Sequence, residues 1–464
     1  MNSQPKALYL LNFISMWEYF SYYGMRALLV LFMVQAMQLG DTEAFGIYAL
    51  YITLGELGGM IGGLIADRFL GLKRSILLGG WTIALGHLCL TFPESKSTFY
   101  LGLGFIIAGT CLFRSNVAAF LGEFYTENDP RRDAGYTLYY TGINIGGFLA
   151  GLICGIAGEV WGWHFGFGLA ALGMLAGNIA LIAGHRILAG KGELTGGSST
   201  KSTLIGIVCL IIAGPLFGWI LREQDSISSL LPIIAIALIA YACFQARNYT
   251  NEEKLKLKML GLYTLFLILF YACEEQLGSS LVLFSERHIE RSFFSWIIPA
   301  SSLITFNPLT ILIAGPLLSR FIGKWNLSSL TKIGISFLFL GAAFCVLYGG
   351  CLVNSESNSL SLGYAIGSIV LIALGEVLIG PTIYAAASAA APKHAHGFTM
   401  GIVTLGYSFA NLFSGFLSQM MAVTDAQNSL SVYAEGFNIV GIAALLLAFI
   451  LLYINKRTTV LIPC

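Results

Sequence analysis

The sequence predicts an all-α integral membrane protein with fourteen membrane-spanning helices. Two features of the composition support this class: apolar residue types make up 56% of the 464 residues, and charged types only 11%. A third is that the apolar residues fall into long runs, since a spanning helix needs about 20 of them. Soluble domains carry about 25% charged residues, so the composition argues against a soluble enzyme, a disordered protein and a nucleic-acid-binding protein. The net charge of +1 gives no reason to expect a polyanionic partner.

Twelve principal spans form two groups of six, and an additional pair lies between the groups, near residues 203–221 and 229–247. Each span is justified by one apolar run of sufficient length. The principal spans are predicted at residues 7–36, 44–66, 74–92, 97–122, 134–158, 164–185, 257–285, 292–320, 326–349, 360–390, 397–423 and 432–455.

The two groups define an N-terminal bundle at 1–186 and a C-terminal bundle at 257–464, joined by 187–256 with the additional pair. The start of this connection, 187–202, is rich in Gly, Ser and Thr and is expected to be a flexible linker. The stretch 248–258 is charged and predicts a helical entry into the seventh principal span.

The distribution of lysine and arginine predicts the orientation of the spans. Placing the N-terminus in the cytoplasm puts nearly all of these residues in the loops of the cytoplasmic side, and the bias recurs from loop to loop. Because the number of spans is even, both termini are then cytoplasmic. The first apolar run begins after Lys6 and is too long and too charged for a signal peptide, so it is taken as a span. Short loops favour a bacterial inner membrane, and a monomer suffices because one chain can form the path.

Seven charged residues lie well inside the predicted spans of both bundles, away from the span ends. A charge at the bilayer centre costs about 2.5–3.5 kcal/mol even on insertion scales, so such residues usually face a cavity or a partner. Each alone is compatible with a structural ion pair or with a position near a helix end, but the set predicts a polar cavity between the two bundles. The residues are Glu18, Arg26, Glu56, Arg114, Glu274, Glu275 and Glu376.

Helical spacing aligns several of these charges with aromatic and amide side chains. Glu18, Tyr22 and Arg26 recur at every fourth position and therefore share one face of the first span. An aromatic stripe alone usually belongs to a core, but aromatics mixed with carboxylates and amides favour a polar cavity. The same spacing recurs on three later spans, in Tyr140 and Asn144, in Tyr271, Glu275 and Ser279, and in Glu376, Gly380 and Tyr384.

Two sets of motifs resemble known families. The loop GGLIADRFLGLKR at 62–74 resembles the signature of the major facilitator superfamily, which implies a fold of two six-helix bundles. Its Asp67 and Arg68 are expected to pair helix ends at a cytoplasmic gate. A more specific set resembles the proton-dependent oligopeptide transporter family, and it runs in family order over nearly the whole chain. This set comprises FSYYGMRALLVLF (20–32), GTCLFRSNVAAFLGEFY (109–125), YYTGINIGG (139–147), GWHFGFGLAALGM (162–174), EEQLGSS (274–280), FNPL (306–309) and GEVLIGP (375–381).

The second resemblance implies the import of di- and tripeptides by proton symport, with alternating access around a site near the membrane midplane. A short peptide is a zwitterion, so its site needs cations for the carboxylate and acids for the amino group. Arg26 and Arg114 are expected to bind the carboxylate, and Glu376 is expected to bind the amino group. The predicted substrate site also includes Tyr22, Tyr23, Tyr140, Asn144, Glu275 and Asn307.

The family's Glu-x-x-Glu-Arg motif on the first span is degenerate in this sequence. Ser15 and Tyr19 stand in place of the first Glu and the Arg, so only Glu18 remains. On the eleventh principal span, Val403 stands in place of the family's Trp. These departures keep an alternative open, in which the chain carries an altered substrate, such as an amino acid or a modified peptide, or has weakened or uncoupled proton coupling.

One further departure suggests a compensation. Glu56 lies where the family usually has an aromatic residue on the second span, and it is expected either to take over the lost titration or to pair with Arg114. By family position, Glu275 is expected to approach Arg26 when the outer gate is closed, so its protonation would be linked to gating. The residues predicted for proton coupling and gating are Glu18, Glu56, Glu275, Asp67 and Arg68.

No cofactor is expected, since the proton gradient supplies the energy. The nine cysteines include no CxxC pair, and neither phosphate-binding nor hydrolase motifs occur, so the chain is not expected to bind a metal or to be an enzyme. The expected partners are a di- or tripeptide, protons and the lipid bilayer, with no nucleic acid.

Overall fold

The computed structural model describes residues 3–92, 95–126, 129–194, 200–227, 250–325, 327–390 and 396–461, with single positions between 230 and 247. Within this part of the chain, ten helices are long and apolar enough to cross a membrane. The chain divides into two compact units. The first unit comprises residues 1–38 and 54–224, and the second comprises residues 39–53 and 225–464.

The first unit is built from helices of the N-terminal half of the chain. Two π-helical turns interrupt it, Ala66–Leu70 after the second helix and Gly151–Gly155 after the fifth. The helices are α1 (Lys6–Gln35), α2 (Asp41–Ile65, whose first residues belong to the second unit), α3 (Leu72–Thr91), α4 (Lys96–Gly122), α5 (Arg132–Ala150), α6 (Ile156–Val160), α7 (Trp163–Ala183) and α8 (Thr200–Arg222).

Close glycine contacts hold α4 against its neighbours in the first unit. A Cβ atom on Gly79 of α3 would lie 2.6 Å from the carbonyl oxygen of Gly109 on α4, so only glycine permits this approach. A Cβ on Gly104 would likewise overlap the backbone of Gly214 on α8. Small residues at such positions allow helices to pack closely in a membrane. The first of the two additional helices is therefore packed tightly on α4.

The second unit contains the remaining helices and four two-residue strands. Strands β1 and β4 pair in parallel, and β2 and β3 form an antiparallel hairpin. The elements are α9 (Asn251–Glu274), a 3₁₀ turn (Glu275–Gly278), α10 (Ser280–His288), β1 (Ile289–Glu290), β2 (Ser292–Phe293), β3 (Trp296–Ile297), a 3₁₀ helix (Ala300–Thr305), α11 (Phe306–Trp325), α12 (Ser329–Val353), β4 (Leu360–Ser361), α13 (Leu362–Ala390), α14 (His396–Met420), a 3₁₀ turn (Ala426–Asn428) and α15 (Ser429–Leu461).

Helix α9 begins as the sequence predicts. The Thr250 side chain accepts a hydrogen bond from the backbone N–H of Glu253, and the Glu253 carboxylate accepts one from the backbone N–H of Thr250. This reciprocal cap satisfies two N–H groups that a helix start leaves unpaired. The charged entry into the seventh principal span is therefore helical.

Two span predictions differ from the structure or fall outside it. The span predicted to begin at residue 292 begins later, because 292–297 form the β2–β3 hairpin and Pro299 precedes the 3₁₀ helix at Ala300–Thr305. A proline has no backbone N–H and fixes its own φ, so it favours the start of a helix over its interior. The second additional span, 229–247, lies almost entirely outside the described residues.

The core of the second unit is aromatic. Phe270 of α9, Phe284 of α10, Phe344 of α12 and Phe437 of α15 are all fully buried. The rings of Phe284 and Phe437 meet edge to face with centroids 4.9 Å apart. Burial of rings this large fixes the helices around the polar side chains that lie beside them.

Candidate functional site

Arg26 forms a buried cationic centre on α1. Its side chain is only 5% exposed, and its Nη1 donates a hydrogen bond of 3.4 Å to the hydroxyl of Tyr22. The guanidinium carbon lies 5.2 Å from the ring centroid of Tyr22 and 5.5 Å from that of Tyr23. Contact with the faces of two aromatic rings stabilises a desolvated cation without neutralising it. The two tyrosines that the sequence assigns to the site thus position Arg26.

Arg114 of α4 lies between two carboxylates. Its Nη2 donates a hydrogen bond of 2.9 Å to Glu18 Oε1, and its Nη1 donates one of 3.1 Å to Glu56 Oε1. The guanidinium also lies 4.9 Å from the ring centroid of Tyr19 and 4.1 Å from that of Tyr22. We call Glu18, Arg114 and Glu56 the shared-arginine cluster. Of the two expectations for Glu56, the structure contains the pairing with Arg114.

The shared-arginine cluster is one positive charge short when both of its carboxylates are ionised. The Glu18 side chain is 2% exposed, and its second oxygen, Oε2, has no hydrogen-bond partner among the described residues. Glu56 is the more accessible of the two carboxylates, since its side chain is 32% exposed. The cluster therefore joins one enclosed and one accessible carboxylate through a single guanidinium.

Ser15 and Tyr19, at the two degenerate motif positions, each contact another side chain of the first unit. The Ser15 hydroxyl donates a hydrogen bond of 2.9 Å to the Tyr139 hydroxyl, and the Tyr19 ring lies against Arg114. Both hydrogen-bonding residues are buried, Ser15 at 1% and Tyr139 at 7% exposure. Sequence reasoning missed Tyr139 although it is part of the quoted motif at 139–147, because a tyrosine beside Tyr140 gives no signal of which ring faces inward.

The other predicted residues of α5 differ in exposure. Tyr140 is 52% exposed, whereas Asn144 is 7% exposed and donates a hydrogen bond of 3.0 Å to the Tyr140 carbonyl oxygen. This bond joins residues four positions apart, which is the spacing that the sequence analysis identifies on this helix. On the π-helical turn after α2, the side chains of Asp67 and Arg68 are both exposed.

The predicted linker begins as an ordered strap against the loop that carries Asp67 and Arg68. The Gly192 carbonyl oxygen accepts a hydrogen bond of 3.1 Å from the Lys73 backbone N–H. The Gly192 N–H donates one of 2.8 Å to Glu123 Oε2 at the end of α4. Residues up to 194 are therefore held in place, and residues 195–199 lie outside the described part of the chain.

The second unit contains an acidic centre with an aromatic neighbourhood. Asn307 Nδ2 of α11 donates a hydrogen bond of 3.2 Å to Glu376 Oε2 of α13. Close by on α9 and α14, the rings of Tyr271 and Tyr407 have centroids 4.7 Å apart, and Tyr384 stacks on Tyr407 at 6.2 Å. The predicted pair of Asn307 and Glu376 is thus brought together, with an apolar aromatic wall beside it.

Glu275 lies where α9 is broken. The helix ends at Glu274, and Glu275 opens the 3₁₀ turn. Tyr48 donates a hydrogen bond of 3.4 Å to Glu275 Oε2; both residues belong to the second unit. A helix break at membrane depth exposes backbone groups that other residues must satisfy. The expected approach of Glu275 to Arg26 stays a prediction.

Gln276, next to Glu275, is the centre of a buried polar network that sequence reasoning missed. It is fully buried, and its Nε2 donates hydrogen bonds of 3.1 Å and 3.0 Å to the carbonyl oxygen and the hydroxyl of Ser414. Its Oε1 accepts hydrogen bonds from Ser280, at 2.6 Å, and Ser418, at 2.8 Å. The network ties the broken segment to α14, so Gln276 fixes the place from which Glu275 projects.

A second missed feature is the ion pair of Asp41 and Arg287. The Arg287 guanidinium donates bonds of 2.6 Å and 2.8 Å to the two oxygens of Asp41, and one of 3.2 Å to the Tyr433 hydroxyl. The backbone N–H of Val423 donates to Asp41 Oδ2 at 3.0 Å. Burial opposes the charged form of Arg287, but the bonds to Asp41 and Tyr433 outweigh it and raise the pKa of Arg287 above its usual value. No sequence spacing connects these residues.

The described residues include no group of three or more His, Cys, Asp or Glu side chains able to hold a metal ion.

Comparison with known proteins identifies the family. The model of the POT family matches residues 73–435. This chain belongs to the POT family. The POT chain is 28% identical to the dipeptide and tripeptide permease A of Pectobacterium carotovorum subsp. carotovorum (strain PC1), over 98% of this chain and 92% of the relative. Identity to the permease of the same name from Escherichia coli (strain K12) is also 28%, over 97% and 92%.

Solved structures show the same fold. A crystal structure of peptide transporter POT in complex with sulfate is 29% identical to the POT chain and superposes with a TM-score of 0.86, over 98% of this chain and 95% of that one. A POT family transporter in complex with 5-aminolevulinic acid is 27% identical, with a TM-score of 0.85 over 98% and 97%. The POT chain therefore has the major facilitator fold and belongs to a family of transporters, as the sequence motifs indicate.

Proposed function

We propose that this chain imports di- and tripeptides across a bacterial inner membrane by proton symport with alternating access. The observation that carries the proposal is that each unit contains one charged centre of the kind a zwitterion requires. The first unit has the cation Arg26, braced by two tyrosines. The second has the carboxylate Glu376, oriented by Asn307. The names of the relatives, which are dipeptide and tripeptide permeases, support the same substrate class.

The peptide's carboxylate is assigned to Arg26, which can bind it through two parallel hydrogen bonds. The amino group is assigned to Glu376. Tyr271, Tyr384 and Tyr407 form a wall of apolar faces with polar rims, which suits variable side chains and hence broad specificity. The remaining substrate contacts are assigned to the peptide backbone, through Tyr22, Tyr23, Tyr140, Asn144 and Asn307.

Proton coupling is assigned to the shared-arginine cluster and to Glu275. Arg114 was a predicted ligand of the substrate carboxylate, but its bonds to Glu18 and Glu56 favour a different role as the counter-ion of a proton-binding site. A proton arriving at this cluster weakens one of the two ion pairs and so changes what holds α4 to α1 and α2. Glu275 is assigned the linkage of protonation to gating, with Tyr48 as its hydrogen-bond partner. The protein is proposed to act as a monomer with both termini in the cytoplasm.

The alternative of altered substrate or uncoupled exchange is not favoured by the relatives, which are dipeptide and tripeptide permeases. It rests on two residues of this chain. Ser15, which stands in place of a family glutamate, hydrogen-bonds to Tyr139 and carries no titratable carboxyl. Val403, which stands in place of a family tryptophan, is buried at 1% exposure. Val403 belongs to the hydrophobic core of the second unit, so a smaller residue there changes the packing around it.

The test is uptake of labelled dialanine into proteoliposomes, with and without an inward proton gradient. Uptake above equilibrium only with the gradient supports symport. Exchange that does not depend on the gradient supports the uncoupled alternative. Absence of transport, by protein that is monodisperse and cooperatively unfolding, overturns the peptide assignment. Glu376→Gln should abolish uptake, whereas Glu356→Gln, in an exposed loop, serves as the matched control.

A further inference from the structure

The tip of the β2–β3 hairpin presents four large apolar side chains to the surroundings. We call residues 292–297 the aromatic hairpin. Phe293 is 58% exposed, Phe294 92%, Trp296 46% and Ile297 66%. The hairpin contains no charged residue. A continuous apolar surface of this kind, on a short projecting element, indicates an interaction site rather than chance exposure.

Phe294 occupies a backbone conformation that disfavours it. Its φ of +55° lies in the left-handed region, where glycine and asparagine are accommodated far more easily than a bulky aromatic residue. Strained backbone conformations cluster at functional sites, so a strained and exposed aromatic residue points to a function of this position. The Phe294 ring, which packs edge to face on Phe293 with centroids 4.8 Å apart, projects from the molecule as a result.

The base of the hairpin is held firmly. The Ile298 N–H donates a hydrogen bond of 2.9 Å to the Arg291 carbonyl oxygen, and Arg291 Nη1 donates one of 2.8 Å to the Ile298 carbonyl oxygen. Arg291 also forms an ion pair with Glu286. The apolar tip is therefore presented by a braced support and not by a loose loop.

The hairpin leaves the second unit at the level where its spanning helices end. Strand β1 pairs with β4, which places Ile289 beside Leu360, and the span Leu362–Ala387 follows immediately. At the same end of the unit, α12 finishes with two exposed apolar residues, Leu352 at 56% and Val353 at 77%. Tryptophan and other aromatic residues are enriched where helices leave the hydrocarbon region, at the depth of the headgroups.

We infer that the aromatic hairpin inserts into the headgroup region of the bilayer and anchors the start of α11 to the membrane surface. Lipid is favoured as the partner because the hairpin and the last residues of α12, at the same end of the unit, both expose apolar side chains. The tip also lacks the charged side chains that would orient a protein partner. An anchor here has a mechanical consequence. It ties the segment leading into α11 to the bilayer.

The insertion depth can be measured on the full-length chain in phosphatidylcholine vesicles. A cysteine-free background receives Phe294→Cys or, as the matched exposed control, Glu356→Cys, and each is labelled with an environment-sensitive nitrobenzoxadiazole dye. A lipid carrying a nitroxide near its headgroup should quench the label at 294 several-fold more strongly than the label at 356, and aqueous iodide should show the reverse order. Equal accessibility of both labels to iodide, or cross-linking of 294 between two copies, would overturn the inference.

A second variant separates insertion from folding. Phe294→Asn removes the apolar tip but suits the left-handed conformation, so the thermal unfolding temperature in detergent should not fall. With the label moved to Trp296→Cys, quenching by the nitroxide lipid should fall when Phe294→Asn is added. Unchanged quenching would show that Phe294 does not contribute to membrane contact and would contradict the inference.

Discussion

Asp41 and Arg287 form a two-pronged ion pair, with both carboxylate oxygens bonded to the guanidinium at 2.6 Å and 2.8 Å. The Asp41 side chain is only 4% exposed, and it also accepts the Val423 N–H at 3.0 Å. A carboxylate with this much bonding and this little solvent depends on its counter-ion. The pair therefore secures the beginning of α2 to α10 within the second unit.

Arg287→Gln should lower the free energy of unfolding by about 3 kcal/mol, because it leaves the Asp41 carboxylate buried without its partner. Asp41→Asn should cost a similar amount, and the double variant should recover part of the loss, since neither charge is then unpaired. Chemical unfolding in detergent measures each value. Arg222→Gln, at the exposed end of α8, is the control; an equal loss in this variant would contradict the assignment.

His288, next to Arg287, should make stability depend on pH. Its Nδ1 donates to the Asn358 carbonyl oxygen at 3.1 Å, so Nε2 accepts from the Ser429 hydroxyl at 2.7 Å. Burial, opposed by the bond to Asn358, lowers the pKa of His288 below its usual value. The unfolded chain therefore takes up a proton first as the pH falls.

The contribution of neutral His288 to the free energy of unfolding is fully present above the pKa of histidine in the unfolded chain, about 6.5. It is lost as the pH falls toward the lower pKa of His288 in the folded protein. The unfolding temperature of the wild type should consequently drop more between about pH 8 and pH 5 than that of His288→Gln. Parallel pH profiles for the two proteins would show that the pKa of His288 does not differ between the folded and unfolded chain.

Glu56→Gln tests the shared-arginine cluster. Removal of one carboxylate leaves Arg114 paired with Glu18 alone, so the cluster no longer needs a proton to balance its charge. Proton-driven accumulation of dialanine should be lost and its pH profile flattened, while exchange without a gradient should persist. Glu43→Gln, on an exposed turn of the same helix, is the matched control. Retention of accumulation and of the wild-type pH profile would exclude Glu56 from coupling.

Gln276→Leu tests the network beside Glu275. The change preserves bulk but removes the two bonds to Ser414 and the acceptor of the Ser280 and Ser418 hydroxyls. Ser418 keeps its bonds to Ser279 and to the Ser414 carbonyl oxygen, so the Ser280 and Ser414 hydroxyls are the groups left unsatisfied. Unsatisfied buried groups cost about 1–3 kcal/mol each, so Gln276→Leu should destabilise the protein more than Ser280→Ala, which removes a single bond. A positioning role further requires that Gln276→Leu shift the pH profile of uptake, which a loss of stability alone would not do.

Local spacing in the sequence predicts contacts within one helix far better than contacts between helices. The spacing of Tyr22 and Arg26 on α1 predicts their contact correctly, because positions four apart share a helical face. Arg114 and Glu56 lie on different helices, so sequence analysis could present their pairing only as one of two roles for Glu56, the other being proton binding. The pair of Asp41 and Arg287 gave no signal, since the partner of a charge at a helix end is chosen by tertiary packing.

The aromatic hairpin shows a different limit. Its residues continue an apolar run, so composition alone assigns 292–297 to a membrane span. What separates hairpin from helix is Pro299, the backbone bond from Ile298 to Arg291, and the bond from the Arg291 side chain to the Ile298 carbonyl oxygen. Hydrophobicity therefore identifies which residues are apolar, but not whether they form a spanning helix or a hairpin.

The two charged centres can be tested against the two ends of the substrate. N-acetylation of dialanine removes the ammonium that Glu376 is proposed to bind, and amidation removes the carboxylate proposed for Arg26. A charge-assisted hydrogen bond contributes about 1.5–3 kcal/mol, so each blocking group should weaken binding to the wild type by about 10-fold to 100-fold. Competition with labelled dialanine measures each ratio.

Pairing blocked peptides with variants gives the decisive comparison. In Glu376→Gln the penalty for N-acetylation should disappear, while the penalty for amidation should remain. In Arg26→Gln the pattern should be the opposite. This crossed result isolates each contact from general damage to the protein, because damage would weaken all peptides alike. If each variant reduces the penalties for N-acetylation and for amidation equally, the assignment of one peptide terminus to each residue is wrong.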